Sequence, residues 1–220
     1  MRTRAKVALA LVLALAVAVP AFAATTPTGK TADQIRTYYS SGLWNRAVKK
    51  QANKAKAYVI KRTHGRHPAK KPALVLDIDE TSLNNYPCLN QSGGIPYSAV
   101  PYAVCVVAYN APAINPVRAL FRRAKEQGVK VFFITGRPEA IRAGTLANLK
   151  ASGFKGNYEL ILQPPGYTDP SMVPYKSGAR KQIEQRGFTI IANVGDQQSD
   201  LNGGYSERTY KLPNPIYLTQ

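Results

Sequence analysis

Acidic residues are scarce in this sequence. Only 12 aspartates and glutamates stand against 30 lysines and arginines, so the formal net charge of the 220 residues is +18. Basic chains of this kind attract nucleic acid, anionic cell-surface polymers or anionic small molecules. A protein that binds no anionic partner, and whose basic surface is only an adaptation to the medium around it, would have the same composition. The charge therefore indicates an anionic environment or partner, but it does not choose between these alternatives.

Cysteine and histidine are also rare, with two residues of each. Both histidines, His64 and His67, fall in the segment RTHGRHPAKKP, which is typical of a solvated connection. No further cysteine or histidine lies near enough to complete a zinc site with Cys88 and Cys105. An isolated cysteine pair in an exported protein most often forms a disulfide, and we expect one here.

The sequence has no hydrophobic run long enough to span a membrane. Residues 7–19 form an apolar run of 13 residues, whereas a spanning helix needs about 20. This run follows a basic start and precedes the small-x-small site Ala-Phe-Ala at 21–23, a pattern typical of a secretory signal peptide. We therefore expect residues 1–23 to be removed. The mature chain should begin at Ala24, carry a net charge of +15, have no membrane span, and be secreted, periplasmic or at the cell surface.

The first part of the mature chain, residues 24–71, is predicted to be a helical segment that packs on the following core. Residues 24–30 are expected to be disordered. Thr31 and Gln34 have the spacing of a capping box, which predicts a helix start. A second helix is expected over 43–61, because four apolar residues recur at helical spacing: Val48, Ala52, Ala55 and Val59. The lysines of this helix allow a nucleic-acid-binding role, but the apolar stripe favours an ordinary structural helix.

Residues 72–220 are predicted to alternate strands and helices. Strands are expected at 73–77, 129–135, 160–162, 189–194 and 209–212. Helices are expected from Asn115 to Gly128, from Pro138 to Gly153, and over 177–185. The middle helix should turn Ile141, Leu146 and Leu149 inward. This order predicts an α/β fold: a doubly wound, mostly parallel sheet with helices on both faces.

Residues 83–112 interrupt the alternation and are interpreted as a small cap inserted after the first core strand. The segment is rich in Gly, Pro and Tyr and contains both cysteines. Such insertions lie over the carboxyl ends of the strands, where ligands bind in open α/β sheets. Its tyrosines could stack a nucleobase, but a small core within the insertion is the favoured interpretation; they are Tyr86, Tyr97, Tyr102 and Tyr109.

The segment ALVLDIDETSLNN, residues 73–85, is the most informative in the chain. An apolar run typical of a buried strand leads directly into Asp77, Asp79 and Thr81. Buried unpaired charge is costly, so two carboxylates at such a strand end indicate a cation or a reaction. Three later segments place polar residues at comparable positions, and parallel strands would gather them in one crevice: Thr135, Gly136, Lys176, Asp196 and Asp200.

Together these segments resemble the four motifs of the haloacid dehalogenase superfamily, in the right order. The closer resemblance is to its secreted acid phosphatase branch, which includes plant vegetative storage proteins and bacterial class B and class C acid phosphatases. The segment YKSGARKQIEQRGFTIIANVGDQQSDLNGGYSERTYKLPNP is similar to the carboxyl-terminal signature of bacterial members. The early segment YYSSGLWNRAVKKQANKAKAY is similar to the helix that precedes the sheet there. The resemblance covers nearly the whole mature chain.

The resemblance implies a role for each carboxylate of the crevice. Asp77 would attack phosphorus and form an aspartyl phosphate. Asp79 would protonate the leaving oxygen and then deprotonate the attacking water. Mg²⁺ would be held by the carboxylates of Asp77 and Asp196 and by the backbone carbonyl of Asp79, since that ion prefers oxygen ligands. Asp200 would support either the metal or the nearby lysine.

The remaining site residues would bind the phosphoryl group by the same resemblance. The hydroxyl of Thr135 and the amide of Gly136 would donate hydrogen bonds to it, and Lys176 would bridge the nucleophile and the phosphate. Each of these residues alone has an ordinary structural explanation. A lysine is usually a solvated surface residue, for example, and a threonine at a strand end often satisfies a backbone group. Their common order and strand context favour the functional interpretation.

The sequence therefore predicts an exported, Mg²⁺-dependent phosphomonoesterase for small phosphomonoesters, with nucleotides as one class to test. An electrostatic association with anionic cell-surface polymers is expected, and specific nucleic-acid binding is not. The alternative is a non-catalytic exported storage or anion-binding protein on the same fold; a carboxylate at Asp77 favours the enzyme. Dehalogenation is a third possibility, which Asp79 argues against because expelling halide needs no proton.

Overall fold

A parallel β-sheet forms the centre of the protein. The structure is a computed structural model and describes residues 25–219; the predicted leader and its cleavage site lie outside the described residues. The strands of this part of the chain are β1 Thr25–Pro27, β2 Pro72–Leu76, β3 Lys130–Pro138, β4 Tyr158–Gln163, β5 Thr189–Gly195, β6 Thr209–Lys211 and β7 Tyr217–Thr219. Five of them form the central sheet in the order β4-β3-β2-β5-β6, and every neighbouring pair is parallel.

Helices cover both faces of this sheet. They are α1 Ala32–Ser40, α2 Leu43–His64, α3 Tyr86–Gln91, α4 Ala99–Val107, α5 Asn115–Glu126, α6 Arg142–Ala151, α7 Val173–Gln185 and α8 Gln198–Leu201, with a short 3₁₀ turn at Glu139–Ile141. No helix within residues 25–219 is long and apolar enough to cross a membrane.

The two faces of β2 belong to two hydrophobic clusters. Leu74 and Leu76 pack in the larger cluster with α2 and α5. Ala73 and Val75 point the other way and pack with Ile183 of α7. Alternate residues of a strand point to opposite faces, so an apolar run such as this one has to be covered on both sides. The predicted α/β fold, with a parallel sheet between helices, is confirmed.

The two helices that precede the central sheet, α1 and α2, were predicted correctly from local sequence patterns. The amide of Gln34 donates to the hydroxyl of Thr31 at 3.2 Å, and the amide of Thr31 donates to the Gln34 side chain at 2.9 Å, so the expected capping box is present. The apolar stripe of α2 is buried as expected, for instance at Val48 and Val59, both 0% exposed.

Other boundaries differ from the sequence-based expectation. Strand β3 continues beyond Thr135 to Pro138, because Pro138 still pairs with Gln163 of β4. Helix α7 begins at Val173, four residues before the expected start, with a proline in its first turn, where proline is tolerated. Leu146 is 36% exposed instead of buried. Successive helical residues point about 100° apart, so Leu146 faces away from the buried side of α6, which is formed by Thr145, Asn148 and Leu149.

The amino-terminal residues are also ordered where disorder was expected. Strand β1 pairs with β7 in a second, antiparallel sheet, with Thr25 opposite Thr219. The partner strand lies almost 200 positions further along the chain, so no local pattern in residues 24–30 could have revealed it. This small sheet brings both ends of the described chain to one place, beside the carboxyl edge of the central sheet.

The segment between β2 and α5 contains two helices, α3 and α4, and Cys88 is bonded to Cys105 across them. Its tyrosines pack within the protein. Tyr86 stacks on Tyr39 of α1 with ring centroids 3.6 Å apart, and Tyr102 meets Tyr217 edge to face at 5.2 Å. Tyr97 contacts both of these last two rings. These contacts favour a packing role for the tyrosines, but the small core is shared with α1 and β7 and is not confined to the insertion as expected.

The fourth tyrosine of this segment, Tyr109, lies against α6. A Cβ atom at Gly144 would come within 2.2 Å of its ring. The close approach is therefore possible only because residue 144 has no side chain.

Candidate active site

The end of β2 delivers two carboxylates to the carboxyl edge of the sheet. The amide of Asp77 donates to the carbonyl of Val194 in β5 at 3.0 Å, so Asp77 still belongs to the sheet. The chain then turns sharply, since the amide of Ser82 donates back to the carbonyl of Ile78 at 2.8 Å. Asp77 and Asp79 are 6% and 8% exposed. The turn thus holds both carboxylates at the bottom of a narrow crevice.

Lys176, in the first turn of α7, links two of the carboxylates. Its Nζ donates to Oδ1 of Asp77 at 2.9 Å and also to Oδ1 of Asp200. Burial alone would lower the pKa of Lys176, but Asp200 and Asp77 raise the pKa well above its ordinary value. The lysine is therefore charged, and it places a fixed positive charge beside Asp77.

Asp77 is difficult to ionise in this setting. Burial raises the pKa of its carboxyl group, repulsion from Asp200 raises it further, and Lys176 opposes them only in part. Burial and Asp200 also raise the pKa of Asp196. Carboxylate oxygens of Asp77, Asp196 and Asp200 all lie within 4.8 Å of one another. A cation among these oxygens would favour their ionised forms.

Asp196 is held by donors from three parts of the chain. The hydroxyl of Thr81 donates to its Oδ1 at 2.9 Å. The side-chain amides of Gln197 and Asn214 donate to its Oδ2 at 2.5 and 2.8 Å. Lys211 donates to its backbone carbonyl. This carboxylate therefore has a fixed position and orientation before any ligand binds.

Both carboxylate oxygens of Asp200 already have protein partners. Oδ1 accepts from Lys176, and Oδ2 accepts from the amide of Gln197 at 2.8 Å. The carboxylate also lies against Gly195, where an added Cβ would come within 2.3 Å of Oδ2. By contrast, no residue in the range 25–219 donates a hydrogen bond to Oδ2 of Asp77. The contacts favour Asp200 as the support of Lys176.

Asp79 is paired with a residue whose role the sequence did not reveal. Arg137 donates from Nε to Oδ2 of Asp79 at 2.9 Å and from a terminal nitrogen to Oδ1 at 2.7 Å. The side-chain amide of Asn85 donates to the same Oδ1 at 2.8 Å. Burial would raise the pKa of Asp79, but Arg137 and then Asn85 lower it overall. Asp79 is therefore an ionised carboxylate in this structure.

Glu80 is a second residue that the sequence did not single out. It is 0% exposed and has a backbone φ of 55°, which is uncommon for a residue with a long side chain. Its carboxyl group accepts from the amide of Asn85 at 2.8 Å and contacts the hydroxyl of Tyr217. Burial, followed by repulsion from Asp79, raises the pKa of Glu80 to about 8. Glu80 thus joins the cap helix α3 to β7 behind the crevice.

The opposite side of the crevice offers hydrogen-bond donors. The amide of Arg137 donates to the hydroxyl oxygen of Thr135 at 3.2 Å, which leaves the hydroxyl hydrogen for a ligand. Tyr175 fixes the same strand end by donating to the carbonyl of Thr135 at 3.2 Å. Gly136 also lines the crevice. The free volume here is about 40 Å³, room for only about three waters, which matches a group the size of a phosphoryl.

The balance of charge and the donor chemistry fit a divalent cation. Five carboxyl groups lie in or beside the crevice: Asp77, Asp79, Glu80, Asp196 and Asp200. Two cationic side chains contact these carboxyl groups, Arg137 and Lys176, and Lys211 contacts the backbone carbonyl of Asp196. The side-chain atoms that converge here and could bind a cation are all carboxylate oxygens, and hard divalent cations prefer oxygen ligands. Among the oxygens of this cluster, Oδ2 of Asp77 has the fewest competing protein contacts, whereas both carboxylate oxygens of Asp196 and of Asp200 accept hydrogen bonds.

All seven residues predicted for this site lie at or beside the crevice. The structure brings Asp77, Asp196, Asp200 and Lys176 into direct contact or close range, while Asp79 is turned toward Arg137. Arg137 could have been suspected, because a charged residue directly after a buried strand needs a partner. The contacts of Asn214 and Tyr217 could not, since both come from a distant part of the sequence.

Comparison with protein families identifies the class of the protein. A sequence model described as "HAD superfamily, subfamily IIIB (Acid phosphatase)" matches residues 3–220. The chain therefore belongs to this family of haloacid dehalogenase-like acid phosphatases. The match confirms both the family expected from the sequence motifs and the expected class of enzyme, a phosphatase of the acid phosphatase type.

Several plant proteins are similar over most of the chain. "Stem 28 kDa glycoprotein" of Glycine max is 36% identical over 187 residues, which cover 83% of this chain and 72% of the relative. "Acid phosphatase 1" of Solanum lycopersicum is 37% identical over 146 residues, 65% of this chain and 57% of the relative. "Vegetative storage protein 2" of Arabidopsis thaliana is 31% identical, with 65% and 55% covered. The chain thus spans between about half and three quarters of their lengths.

A solved bacterial structure has the same fold. The class C acid phosphatase from Bacillus anthracis superposes with a TM-score of 0.69 at 20% sequence identity, covering 85% of this chain and 86% of that chain. A second structure of that protein, with tungstate bound, gives a TM-score of 0.65 at 21% identity. At this level of identity the likeness concerns the fold.

Proposed function

We propose that this protein is a Mg²⁺-dependent phosphomonoesterase that forms an aspartyl phosphate on Asp77. The observation that carries the proposal is the geometry around this residue. Asp77 contacts the ammonium group of Lys176 at 2.9 Å and shares a volume less than 5 Å across with Asp196. A nucleophile, a fixed cation and a fixed metal-binding carboxylate are the parts that phosphoryl transfer requires.

In the first step, a carboxylate oxygen of Asp77 attacks phosphorus while the bond from phosphorus to the alcohol oxygen breaks. Lys176, the hydroxyl of Thr135 and the amide of Gly136 stabilise the negative charge on the phosphoryl oxygens. Asp79 supplies the proton that the departing alcohol needs. Because Asp79 is held as a carboxylate by Arg137, it first has to take up a proton from solvent as that ion pair loosens, and the phosphoryl oxygens offer Arg137 another partner.

In the second step, Asp79 accepts a proton from a water molecule whose oxygen attacks the aspartyl phosphate. The bond from phosphorus to Asp77 breaks, which releases phosphate and restores the carboxylate. Arg137 and Asn85 lower the pKa of Asp79 against the effect of burial, which keeps it unprotonated but weakens it as a base. The contact with Arg137 therefore has to be loosened in this step as well. Burial and nearby carboxylates make Asp77 hard to ionise, which supports the need for a cation.

The metal would be held by the carboxylates of Asp77 and Asp196 and by the backbone carbonyl of Asp79. When bound, Mg²⁺ would neutralise the phosphoryl oxygens and the converging carboxylates. The contacts of Asp200 with Lys176 and with the amide of Gln197 support a positioning role for Asp200. In this role it would keep the lysine directed at Asp77.

Small monoesters suit the crevice best. Its free volume of about 40 Å³ is enough for a phosphoryl group, so a larger leaving group would have to project out of the crevice. Uncharged residues also line the crevice, among them Tyr102, Met172, Ser199 and Thr219. The edge-to-face packing of Tyr102 on Tyr217 also argues against a nucleobase stacked inside the crevice, so a nucleotide would have to bind with its base outside.

Export is part of the proposal. The leader-like pattern at 1–23, the disulfide between Cys88 and Cys105 and the glycoproteins among the relatives all support it. The name of the similar vegetative storage protein supports a second candidate, a non-catalytic storage or anion-binding protein. The carboxylate at Asp77 and the intact constellation around it favour the enzyme.

A phosphate-release assay distinguishes the two candidates. The mature protein would be assayed on aryl, sugar and nucleoside monophosphates after exhaustive chelation and again after Mg²⁺ is restored, with the Asp77→Asn variant as the control. We expect release that depends on Mg²⁺ and on Asp77. Release that survives chelation would contradict the proposed metal dependence, and no release from any monoester by the folded protein would favour the storage candidate.

A further inference from the structure

Helix α2 carries positive charge that the described chain leaves largely unneutralised. The helix has 22 residues and no acidic one. Its cationic residues are Arg46, Lys49, Lys50, Lys54, Lys56, Lys61 and Arg62. Among them, only Arg62 forms an ion pair within residues 25–219, with Glu207. We call the outer side of α2, together with the grooves that flank it, the basic face.

Other helices of the same protein are built differently. Arg36 in α1 pairs with Asp33, and Arg123 in α5 pairs with Glu126, each at the spacing i, i+3. Such pairs stabilise a helix, whereas like charges four residues apart, as at Lys50 and Lys54, weaken it. The unbalanced charge of α2 therefore opposes folding, so stability of the isolated chain does not explain it.

Two grooves flank α2, and both are basic. The first has a volume of about 880 Å³ and runs between α2 and residues 211–215. Its charged lining residues are Lys30, Lys50, Lys54 and Lys211, with no acidic residue among them. The second, of about 470 Å³, lies between α2 and α5. It is lined by Lys56, Arg118, Arg122 and Arg123, and its one acidic residue, Glu126, is already paired with Arg123.

The chemistry of the basic face limits what can bind there. The apolar stripe of α2 is buried against the sheet, for example at Val48 and Val59, so the helix has no free apolar side to insert into a bilayer. Tyr38 is the one aromatic residue that lines the first groove, and none lines the second. A single-stranded nucleic acid usually needs a row of rings for its bases. The face therefore fits an extended chain of negative charges without bases.

We propose that the basic face binds an extended anionic polymer whose repeating unit carries a carboxylate, sulfate or phosphate group. Lysine and arginine in two parallel grooves can contact successive charges along such a chain. Binding releases the counterions of the polymer and is therefore salt-dependent. This binding would attach an exported protein to an anionic surface. It does not depend on the proposed phosphatase activity, because the residues that carry it lie outside the catalytic crevice.

The test compares two double variants that lose the same charge at different places. Lys50→Gln with Lys54→Gln removes two charges from the first groove. Lys155→Gln with Lys181→Gln removes two exposed charges that line neither groove. Lys211 is left unchanged, because it contacts the backbone of Asp196. Hydrolysis of a small monoester should be the same for both variants and the parent protein. The unfolding temperature of neither variant should fall, and that of the groove variant should rise slightly, because Lys50 and Lys54 no longer repel each other.

Binding would be measured for the whole mature protein with labelled polygalacturonate, dextran sulfate, long-chain polyphosphate and neutral dextran over a range of salt concentrations. We expect binding to the anionic polymers and none to neutral dextran. The groove variant should lose about tenfold in affinity at moderate salt and show a shallower salt dependence, while the control variant should change by about twofold or less. The strongest of the three anionic polymers identifies the preferred group.

Three results would overturn the proposal. Equal losses in the two double variants would mean that only net charge matters. Tighter binding to a single-stranded oligonucleotide than to base-free polymers of the same charge density would identify a nucleic-acid surface. No binding to any of the three anionic polymers at physiological salt would show that the basic face is simply solvated.

Discussion

Charged side chains are arranged in opposite ways in the catalytic crevice and on the basic face. In the crevice, charged side chains are buried and held by partners, as Lys176 is between Asp77 and Asp200. On the basic face, lysines such as Lys50 and Lys54 are exposed and have no ion-pair partner within residues 25–219. The crevice holds positive and negative side chains within a few ångströms of one another, whereas the basic face exposes only positive side chains to solvent.

The difference shows which charges the fold depends on. Removing one partner of a buried pair leaves the other uncompensated and costs about 3–5 kcal/mol, whereas an exposed pair contributes about 0–1 kcal/mol. Substitutions in the crevice that leave a buried charge without a partner should therefore affect stability and chemistry together. Those on the basic face should affect only the encounter with partners. Each prediction below tests this contrast.

The largest expected effect is the loss of turnover in Asp77→Asn. Without the nucleophile, hydrolysis of a monoester should fall by about 10⁴-fold or more. Stability should stay the same or rise, because the change removes a carboxyl group that Asp200 repels. Phosphate release and urea unfolding measure the two quantities. Asp33→Asn, at an exposed ion pair, is the matched control and should change neither; turnover of Asp77→Asn near the parent rate would refute the assignment.

Arg137→Met should cause the largest loss of stability. It leaves Asp79 buried without its bidentate partner, so the free energy of unfolding should fall by about 3–5 kcal/mol. The double variant with Asp79→Asn should recover part of that loss. The exposed counterpart, Arg36→Met, breaks the pair with Asp33 and should cost less than about 1 kcal/mol. Similar losses at the two sites in urea unfolding would contradict the contrast between buried and exposed charge.

Asp196→Asn should weaken metal binding while leaving the fold intact. The three hydrogen bonds to its side chain would hold the amide in place only in part, because an amide nitrogen cannot accept from them. We expect Mg²⁺ affinity and activity to fall by about 10²-fold. Isothermal titration with Mg²⁺ measures the affinity. Asp200→Asn should instead leave the Mg²⁺ affinity closer to that of the parent protein and weaken the positioning of Lys176. A larger loss of Mg²⁺ affinity in Asp200→Asn than in Asp196→Asn would mean that Asp200 is the metal ligand and Asp196 the supporting residue.

Some of these features could be predicted from the sequence and others could not. The position of Asp77 follows from a short pattern, an apolar strand that ends in carboxylates. Lys176 and Asp196 were found because their motifs occur in the right order after other strands. The long-range contacts were missed. Asn214 reaches Asp196 from 18 positions away, and Tyr217 reaches Glu80 from 137 positions away, so neither contact leaves a local pattern.

The errors in the fold have the same origin. The pairing of β1 with β7 joins the two ends of the described chain, and local propensity for residues 24–30 contains no information about it. The exposure of Leu146 depends on which side of α6 packs on the core, and that side is formed by Thr145, Asn148 and Leu149. In both places tertiary geometry decided the outcome, whereas α2 and α5 were predicted well because their apolar spacing alone is sufficient.

The smallest expected effect concerns an exposed pair next to the basic face. Arg62 donates two hydrogen bonds to Glu207, both at 2.7 Å, and its hydrogen bond is the largest factor that lowers the pKa of Glu207 below 4.5. A lowered pKa stabilises the fold at pH values above 4.5, and this stabilisation is lost as the pH falls through the lowered pKa. Glu207→Gln should therefore cost at most about 1 kcal/mol at pH 7.

That cost should disappear in strong acid, which thermal unfolding over a pH series would show. If the difference in stability between Glu207→Gln and the parent protein were the same at all pH values, the charge of Glu207 would not contribute to stability. A difference as large as that expected for Arg137→Met would contradict the distinction between the two kinds of ion pair.

The central claim is that Asp77 forms a covalent intermediate which Asp79 then resolves. Rapid mixing of Asp79→Asn with nitrophenyl phosphate, followed by intact mass measurement, tests it most directly. Nitrophenolate leaves without a proton, so the variant should release up to about one equivalent quickly, then stall, and carry the mass of one phosphoryl group. An alkyl phosphate should give a much slower first step. Equal losses for both substrates, with no burst and no phosphorylated protein, would contradict the account.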